Sequence, residues 1–206
     1  MNIDTEHLHY WMCAIRESKD PKRTLDAFWR GQIQSKEWLI ETLESFISSE
    51  QDKSLNFPVS IDIHGGWVGT LASFLFQSKI SIKYIRTIDI DPSCEEIART
   101  MNKKEEMQGR FTAITSDMCA IHSNADIIIN TSCEHITQEQ YDTWLTCLPH
   151  NSLIVVQSNN YKIDEHIRIA NSLTHFIDQC KLHVYNAKKL ELPLYDRYMI
   201  IGKANV

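Results

Sequence analysis

Apolar positions along this chain follow two different rhythms, and the change falls near residue 56. Over the first 55 residues the spacing is helical. Leu8, Trp11, Met12 and Ile15 occupy i, i+3, i+4 and i+7 of one stripe. Asp20-Pro21 supplies an N-cap and a first-turn proline for a second helix, with Leu25, Phe28 and Trp29 on one face. Gly31 is expected to break that helix, and Ser35 to cap a third carrying Leu39, Leu43, Phe46 and Ile47. The polar run 48–54 reads as a linker, and Pro58 precedes the first strand.

From there strands and helices alternate. Strands are expected at 59–63, 83–88, 111–115, 126–130 and 153–156. The uninterrupted run Ile127-Ile128-Ile129 suits a strand buried on both faces. Helices between them carry Leu71, Phe74 and Leu75, then start at Asp91-Pro92, with Glu95 and Glu96 matching the dipole. Thr137 with Gln140 forms a capping box for a helix bearing Tyr141, Trp144, Leu145 and Leu148, stopped by Pro149. A further helix is expected to contain Ile167, Ala170, Leu173 and Ile177. The last two apolar runs, 182–185 and 198–201, flank Pro193 with no room for a crossover helix, so they are expected to pair antiparallel at a sheet edge. The fold class predicted is α/β: a doubly wound, seven-stranded, mostly parallel sheet over residues 56–206, closed by an antiparallel strand. Residues 1–55 form a helical lid or extension.

Composition narrows the function classes. The 206 residues, 43% of them hydrophobic, provide a sizeable core. A net charge of −6 disfavours a nucleic-acid partner, because backbone binding rests on an excess of Lys and Arg. Residues 1–6 are polar and acidic, unlike a signal peptide, and no apolar run approaches the roughly 20 residues that span a bilayer. Six scattered cysteines without a Cys-x-x-Cys pair read as reduced thiols of a cytoplasmic protein. The nine histidines show no metal-ligand spacing, so no metal site is expected.

The chemistry begins where the first strand breaks into His64-Gly65-Gly66-Trp67-Val68-Gly69. Clustered glycines between a buried strand and a helix let backbone approach a ligand. About twenty residues on, the second strand ends in Asp89, placed to accept hydrogen bonds from ribose hydroxyls. The loop is one residue short of a dinucleotide-binding Gly-x-Gly-x-x-Gly, since His64 replaces the first glycine. A nicotinamide dehydrogenase is therefore a rival. Against it stand an α/β part of only about 150 residues, the closing hairpin, and a further acid, Asp117, after the third strand.

Over residues 59–203 the chain resembles class I S-adenosylmethionine-dependent methyltransferases of the small-molecule type, with an unusual glycine loop. The resemblance implies S-adenosyl-L-methionine as cofactor. It assigns Asp62, His64, Gly65, Gly66, Trp67 and Gly69 to the loop motif facing the methionine part. Asp89 becomes the ribose acid, Ile90 the residue packing on adenine, and Asp117-Met118 the adenine-edge pair. The segment from Asp126 through Asn130, Ser132, Cys133, Glu134 and His135 to Ile136 resembles the motif after the fourth strand, and 195–202 the family's last strand. It is not the Asp/Asn-Pro-Pro-aromatic motif of nucleic-acid amino methyltransferases. His64 and Trp67 depart from the family's loop and are expected to narrow the pocket at the methionine end.

The expected reaction is methyl transfer to a small-molecule acceptor. Asn130, at the end of the most buried strand, is a candidate to orient the acceptor or the cofactor's amino group. Glu134 and His135 are candidate general acid/base groups, with local structural pairing as the alternative. Cys133 reads as a packed side chain. Trp29, Gln32 and Lys36 are candidate acceptor contacts from the lid, and Asn159-Asn160-Tyr161 a second polar edge. The alternative for the aromatic N-terminal helices is that they cover a sheet face or an oligomer interface, a role compatible with that of a lid. Two alternatives stay open: an aminocarboxypropyl transferase or cyclase releasing methylthioadenosine, and a non-catalytic S-adenosylmethionine- or partner-binding module.

Overall fold

The computed structural model describes residues 4–49 and 55–205. These form one seven-stranded sheet in the order β3-β2-β1-β4-β5-β7-β6. The strands are β1 (Val59–His64), β2 (Ile82–Asp89), β3 (Phe111–Thr115), β4 (Ile127–Asn130), β5 (Leu153–Asn159), β6 (Leu182–Glu191) and β7 (Asp196–Ala204). The first five run parallel. β7 pairs antiparallel with both β5 and β6, as the missing crossover helix requires. The helices are α1 (Thr5–Glu17), α2 (Pro21–Asp26), α3 (Arg30–Ser48), α4 (Thr70–Leu75), α5 (Pro92–Met101), α6 (Lys103–Met107), α7 (Gln138–Thr146) and α8 (Leu173–Cys180).

The strands β4, β5 and β7 each feed two cores because their side chains alternate between sheet faces. Ile127 and Ile129 join Ile61, Ile63 and Ile85 under the N-terminal helices, α4 and α5. Ile128 joins Ile154, Val156 and Ile200 against Tyr141 and Trp144 of α7 and Phe176 of α8. The caps lie where the side-chain chemistry places them. Asp20, Asp91 and Thr137 cap α2, α5 and α7, and Thr137 forms the reciprocal box with Gln140.

Three expectations about local structure are corrected. Gly31 does not break a helix: α2 stops at Asp26, and Gly31 lies in the first turn of α3. A Cβ there would sit 3.3 Å from the Tyr195 hydroxyl, so the turn packs closely against the start of β7. Ser35 is interior to α3, its hydroxyl donating to Gln157 Oε1 at 3.2 Å rather than capping. The eighth helix starts at Leu173, capped by Ser172, so Ile167 and Ala170 belong to the preceding segment. That segment is drawn back to the sheet by Arg168 N donating to Glu134 O and Ala170 N to Asn159 O. α3 also extends to Ser48, and the rest of the expected linker falls largely outside the described residues.

α1 is tied to the body of the fold. The Trp11 indole donates to Ser73 Oγ at 2.7 Å and packs against Phe28 and Phe74. Buried His7 meets buried Glu105 at 3.0 Å, and that carboxylate raises the histidine's pKa. Among the described residues no helix is long and apolar enough to cross a membrane.

Candidate functional site

The carboxyl ends of β1 to β5 share one edge of the sheet, where open α/β folds gather ligands. The glycine loop is compressed there. A Cβ on Gly66 would lie 2.7 Å from Thr87 Cβ, and one on Gly69 2.9 Å from Ala98 Cβ of α5. Trp67 adopts φ of 47°, a left-handed conformation costing a non-glycine residue about 1–2 kcal/mol. The conformation turns the Trp67 amide onto Asp89: N donates to Oδ2 at 2.7 Å, while Asp91 N donates to Oδ1 at 3.0 Å. Both oxygens are thus oriented, and each retains a lone pair.

The other residues expected at this end of the sheet lie as follows. Ile90 is 73% exposed, an unusual state for an isoleucine beside a crevice. Asp117 is exposed, its Oδ1 accepting from Cys119 N. Met118 lies within 3.7 Å of Asn130 Nδ2, and Asn130 Oδ1 accepts from Ser132 N. Ser132 Oγ reaches Gly65 O at 3.5 Å, joining the β4 loop to the glycine loop.

Asp62 and His64 have protein partners instead. Asp62 is buried, bonded to Arg86 through both oxygens and accepting from Ser123 Oγ. The parallel register sets Asp62 against Arg86 on one face, which explains the pair. His64 is fully buried, and the Trp144 indole donates to its Nδ1 at 2.6 Å. Indole N–H is a donor only, so the proton of this neutral ring sits on Nε2. Burial holds the ring's pKa down, to about 4. His64 therefore packs beneath the loop against α7 and does not narrow the crevice.

A second constellation lies at the ends of β5 and β7. Arg197, 5% exposed, donates to Glu134 Oε1 at 3.0 Å, to Gln157 Oε1 at 3.3 Å and to Thr131 O at 2.5 Å. Asn159 Nδ2 donates to the same Glu134 oxygen, while Glu134 Oε2 is buried with no hydrogen-bond partner among the described residues. Sequence reasoning missed Arg197 and Gln157. The signal was present: an arginine directly before the apolar run 198–201, and polar Gln157, Ser158 and Asn159 finishing an apolar strand. Cys133 is packed as expected, burial pushing its thiol up to about 12.

The helices α2 and α3 reach across both halves of this edge. Arg23 of α2 pairs with Asp91 at 2.6 Å and bonds Ser93, beside the Asp89 end. α3 meets the other end through Ser35 and Gln157. Trp29, just before α3, is 68% exposed. Lys36 is buried in α3, donating to Gln32 Oε1 at 2.9 Å. Burial, reinforced by the positive charge of Arg197, lowers its pKa from 10.5 to about 7.

That lysine burdens the fold. Between about pH 7 and 10.5 the unfolded chain holds a proton that the folded chain releases, so its penalty is full below pH 7 and fades as pH rises. Lys36→Met is expected to raise stability by about 1–4 kcal/mol at pH 6 and by much less at pH 10, measured by urea unfolding. An equal gain at both pH values would mean that the ammonium is not buried.

No protein-family model and no curated protein matches the chain. Solved structures do. The mitomycin 7-O-methyltransferase MmcR aligns with 97% of this chain and 67% of its own at TM-score 0.62 and 13% identity. Magnesium protoporphyrin IX methyltransferase ChlM from Synechocystis PCC 6803, with bound S-adenosylhomocysteine, covers 98% of this chain and 95% of its own at TM-score 0.62 and 10% identity. The N-methyltransferase NodS from Bradyrhizobium japonicum WM9 covers 84% and 97% at TM-score 0.57 and 14% identity. At these identities the likeness is one of fold: the chain has the fold of class I S-adenosylmethionine-dependent methyltransferases.

Proposed function

We propose that this chain is an S-adenosyl-L-methionine-dependent methyltransferase acting on a small-molecule acceptor. The observation that carries it is Asp89. Its carboxylate is fixed by two backbone amides at the end of β2, with a lone pair on each oxygen left for vicinal hydroxyls. Exposed Ile90 offers a surface for a flat base, and Asp117 with Met118 offers the edge contact beyond it. Gly65, Gly66, Trp67 and Gly69 border the methionine end, with Asn130 and Ser132 closing the β4 side.

When bound, the sulfonium supplies an electrophilic methyl group. The protein's task is then alignment and exclusion of water. Gln32 and Lys36 from α3, with Glu134, Asn159 and Arg197 from the sheet edge, form a polar wall beside the donor site. Lys36, neutral above about pH 7, can take up the proton an acceptor hydroxyl or ammonium releases. The six free thiols suit a reducing compartment, and we place the protein in the cytoplasm.

The test is incubation with S-adenosylmethionine and a metabolite mixture, followed by mass spectrometry of the nucleoside product. S-adenosylhomocysteine is expected. Methylthioadenosine would transfer the assignment to aminocarboxypropyl chemistry, and no turnover with retained binding would make the chain a binding module.

A further inference from the structure

Glu134, His135 and His166 each present one metal-ligating atom, and the three atoms lie within 4.8 Å of one another. We propose that they form a divalent-cation site at the carboxyl end of β4, of the two-histidine, one-carboxylate type.

The imidazoles are prepared for coordination by their other nitrogens. His135 Nδ1 lies 3.1 Å from Glu165 O, and His166 Nδ1 2.7 Å from Tyr161 O. A carbonyl only accepts, so each Nδ1 carries the proton and each Nε2 the lone pair. Backbone carbonyls that fix a histidine's tautomer in this way are the usual outer support of a metal ligand. The rings meet edge to face, their centroids 4.7 Å apart. The third ligand has an independent mark. Glu134 is 3% exposed, Oε1 accepts from Arg197 and Asn159, and Oε2 is buried without a partner among the described residues. A buried carboxylate oxygen left bare is costly unless a cation or a donor comes to it.

Ligands at about 2.0–2.2 Å from an ion stand about 3.4 Å apart in a tetrahedral arrangement, so closure asks for small rotations of the two surface-facing imidazoles. Two nitrogens and one oxygen suit zinc, cobalt, iron or manganese better than calcium or magnesium. The positive charge of Arg197 on the same carboxylate weakens the site, which points to an exchangeable ion. Three protein ligands leave positions for water or for an oxygen of a second molecule. If the methyltransferase assignment holds, that molecule is a hydroxyl-bearing acceptor, bound through the ion beside Asn159 and Tyr161. This last step rests on that assignment; the cation site does not.

The site is invisible in the sequence because its parts come from two connections. Glu134 and His135 follow β4, while His166 follows β5, in the segment that Arg168 N and Ala170 N return to the sheet.

The experiment is a titration of the metal-free, full-length protein with Co2+, without cofactor, followed by visible absorption. One equivalent is expected to bind and give ligand-field bands without thiolate charge transfer. His135→Gln and His166→Gln, both outside the cores, are each expected to weaken binding by about tenfold or more. Their thermal unfolding in a chelator should match that of the natural chain. Cys13→Ser, which removes the thiol 3.6 Å from His9 Nε2, should leave binding unchanged. No saturable binding, or binding that survives both histidine substitutions, would overturn the site. Because the readout is the ion alone, a failed turnover assay leaves this result standing.

Discussion

Asp89→Ala is expected to lower the affinity for S-adenosylhomocysteine by about a hundredfold or more, the largest loss from any single change in the cofactor half of the site. Two charge-assisted hydrogen bonds to ribose would go, each worth about 1.5–3 kcal/mol, and about 1.4 kcal/mol is a tenfold change. A second effect adds to the first. The same carboxylate holds the Trp67 amide at 2.7 Å, in a conformation tryptophan does not adopt unaided. Without it the loop is free to relax, and the close approach that Gly66 and Gly69 permit is no longer directed at a ligand. Asp89→Asn separates the two contributions: its amide oxygen can keep one backbone bond, while its NH2 faces the other N–H. It is expected to fall between the natural chain and the alanine variant. Isothermal calorimetry, with thermal unfolding as a check on the fold, decides the matter. Unchanged affinity, or a natural chain that prefers a nicotinamide dinucleotide, would sink the cofactor assignment.

Much of the candidate site is legible in the sequence, because it follows from rules local to the chain. A strand that ends in glycines, a second that ends in an acid, and a run of isoleucines between polar neighbours each carry their meaning within a few residues. The antiparallel pairing of the last two strands follows the same logic: parallel strands need crossover helices, and the last connection is too short for one. His64 shows where locality fails. Its place in the motif suggested a ligand contact, but the alternation of β1 turns His64 toward the α7 face, where the Trp144 indole claims it. Asp62 meets the same fate through its cross-strand neighbour Arg86. Neither partner is near in sequence.

The start of α3 and the segment before α8 escaped for a related reason. Ser35 has a capping residue's chemistry, yet its hydroxyl serves Gln157, 122 positions away. Ile167 and Ala170 have helical spacing, but the backbone amides of Arg168 and Ala170 pair with Glu134 and Asn159 rather than with a helix of their own. Tertiary hydrogen bonds outweighed a weak local preference. The outcome matters for function, since this irregular segment brings His166 beside His135.

Removing Glu134 should cost the fold several kcal/mol. Glu134→Ala leaves the Arg197 guanidinium, 5% exposed, without its counter-charge, and breaking a buried pair from one side costs about 3–5 kcal/mol. Arg197 would keep Thr131 O and Gln157 Oε1, so the loss belongs at the lower end of that range. Arg197→Met strands the carboxylate in turn. The double variant Glu134→Ala/Arg197→Met leaves neither charge buried alone, and it is expected to recover much of what the first substitution lost. The quantity to measure is the coupling energy from urea unfolding of all four proteins. Strict additivity would mean that the two groups do not act as a pair. A strong coupling would also explain how a carboxylate survives in this position: Arg197 neutralises Oε1 from the β7 side, while Oε2 stays buried and without a hydrogen-bond partner among the described residues.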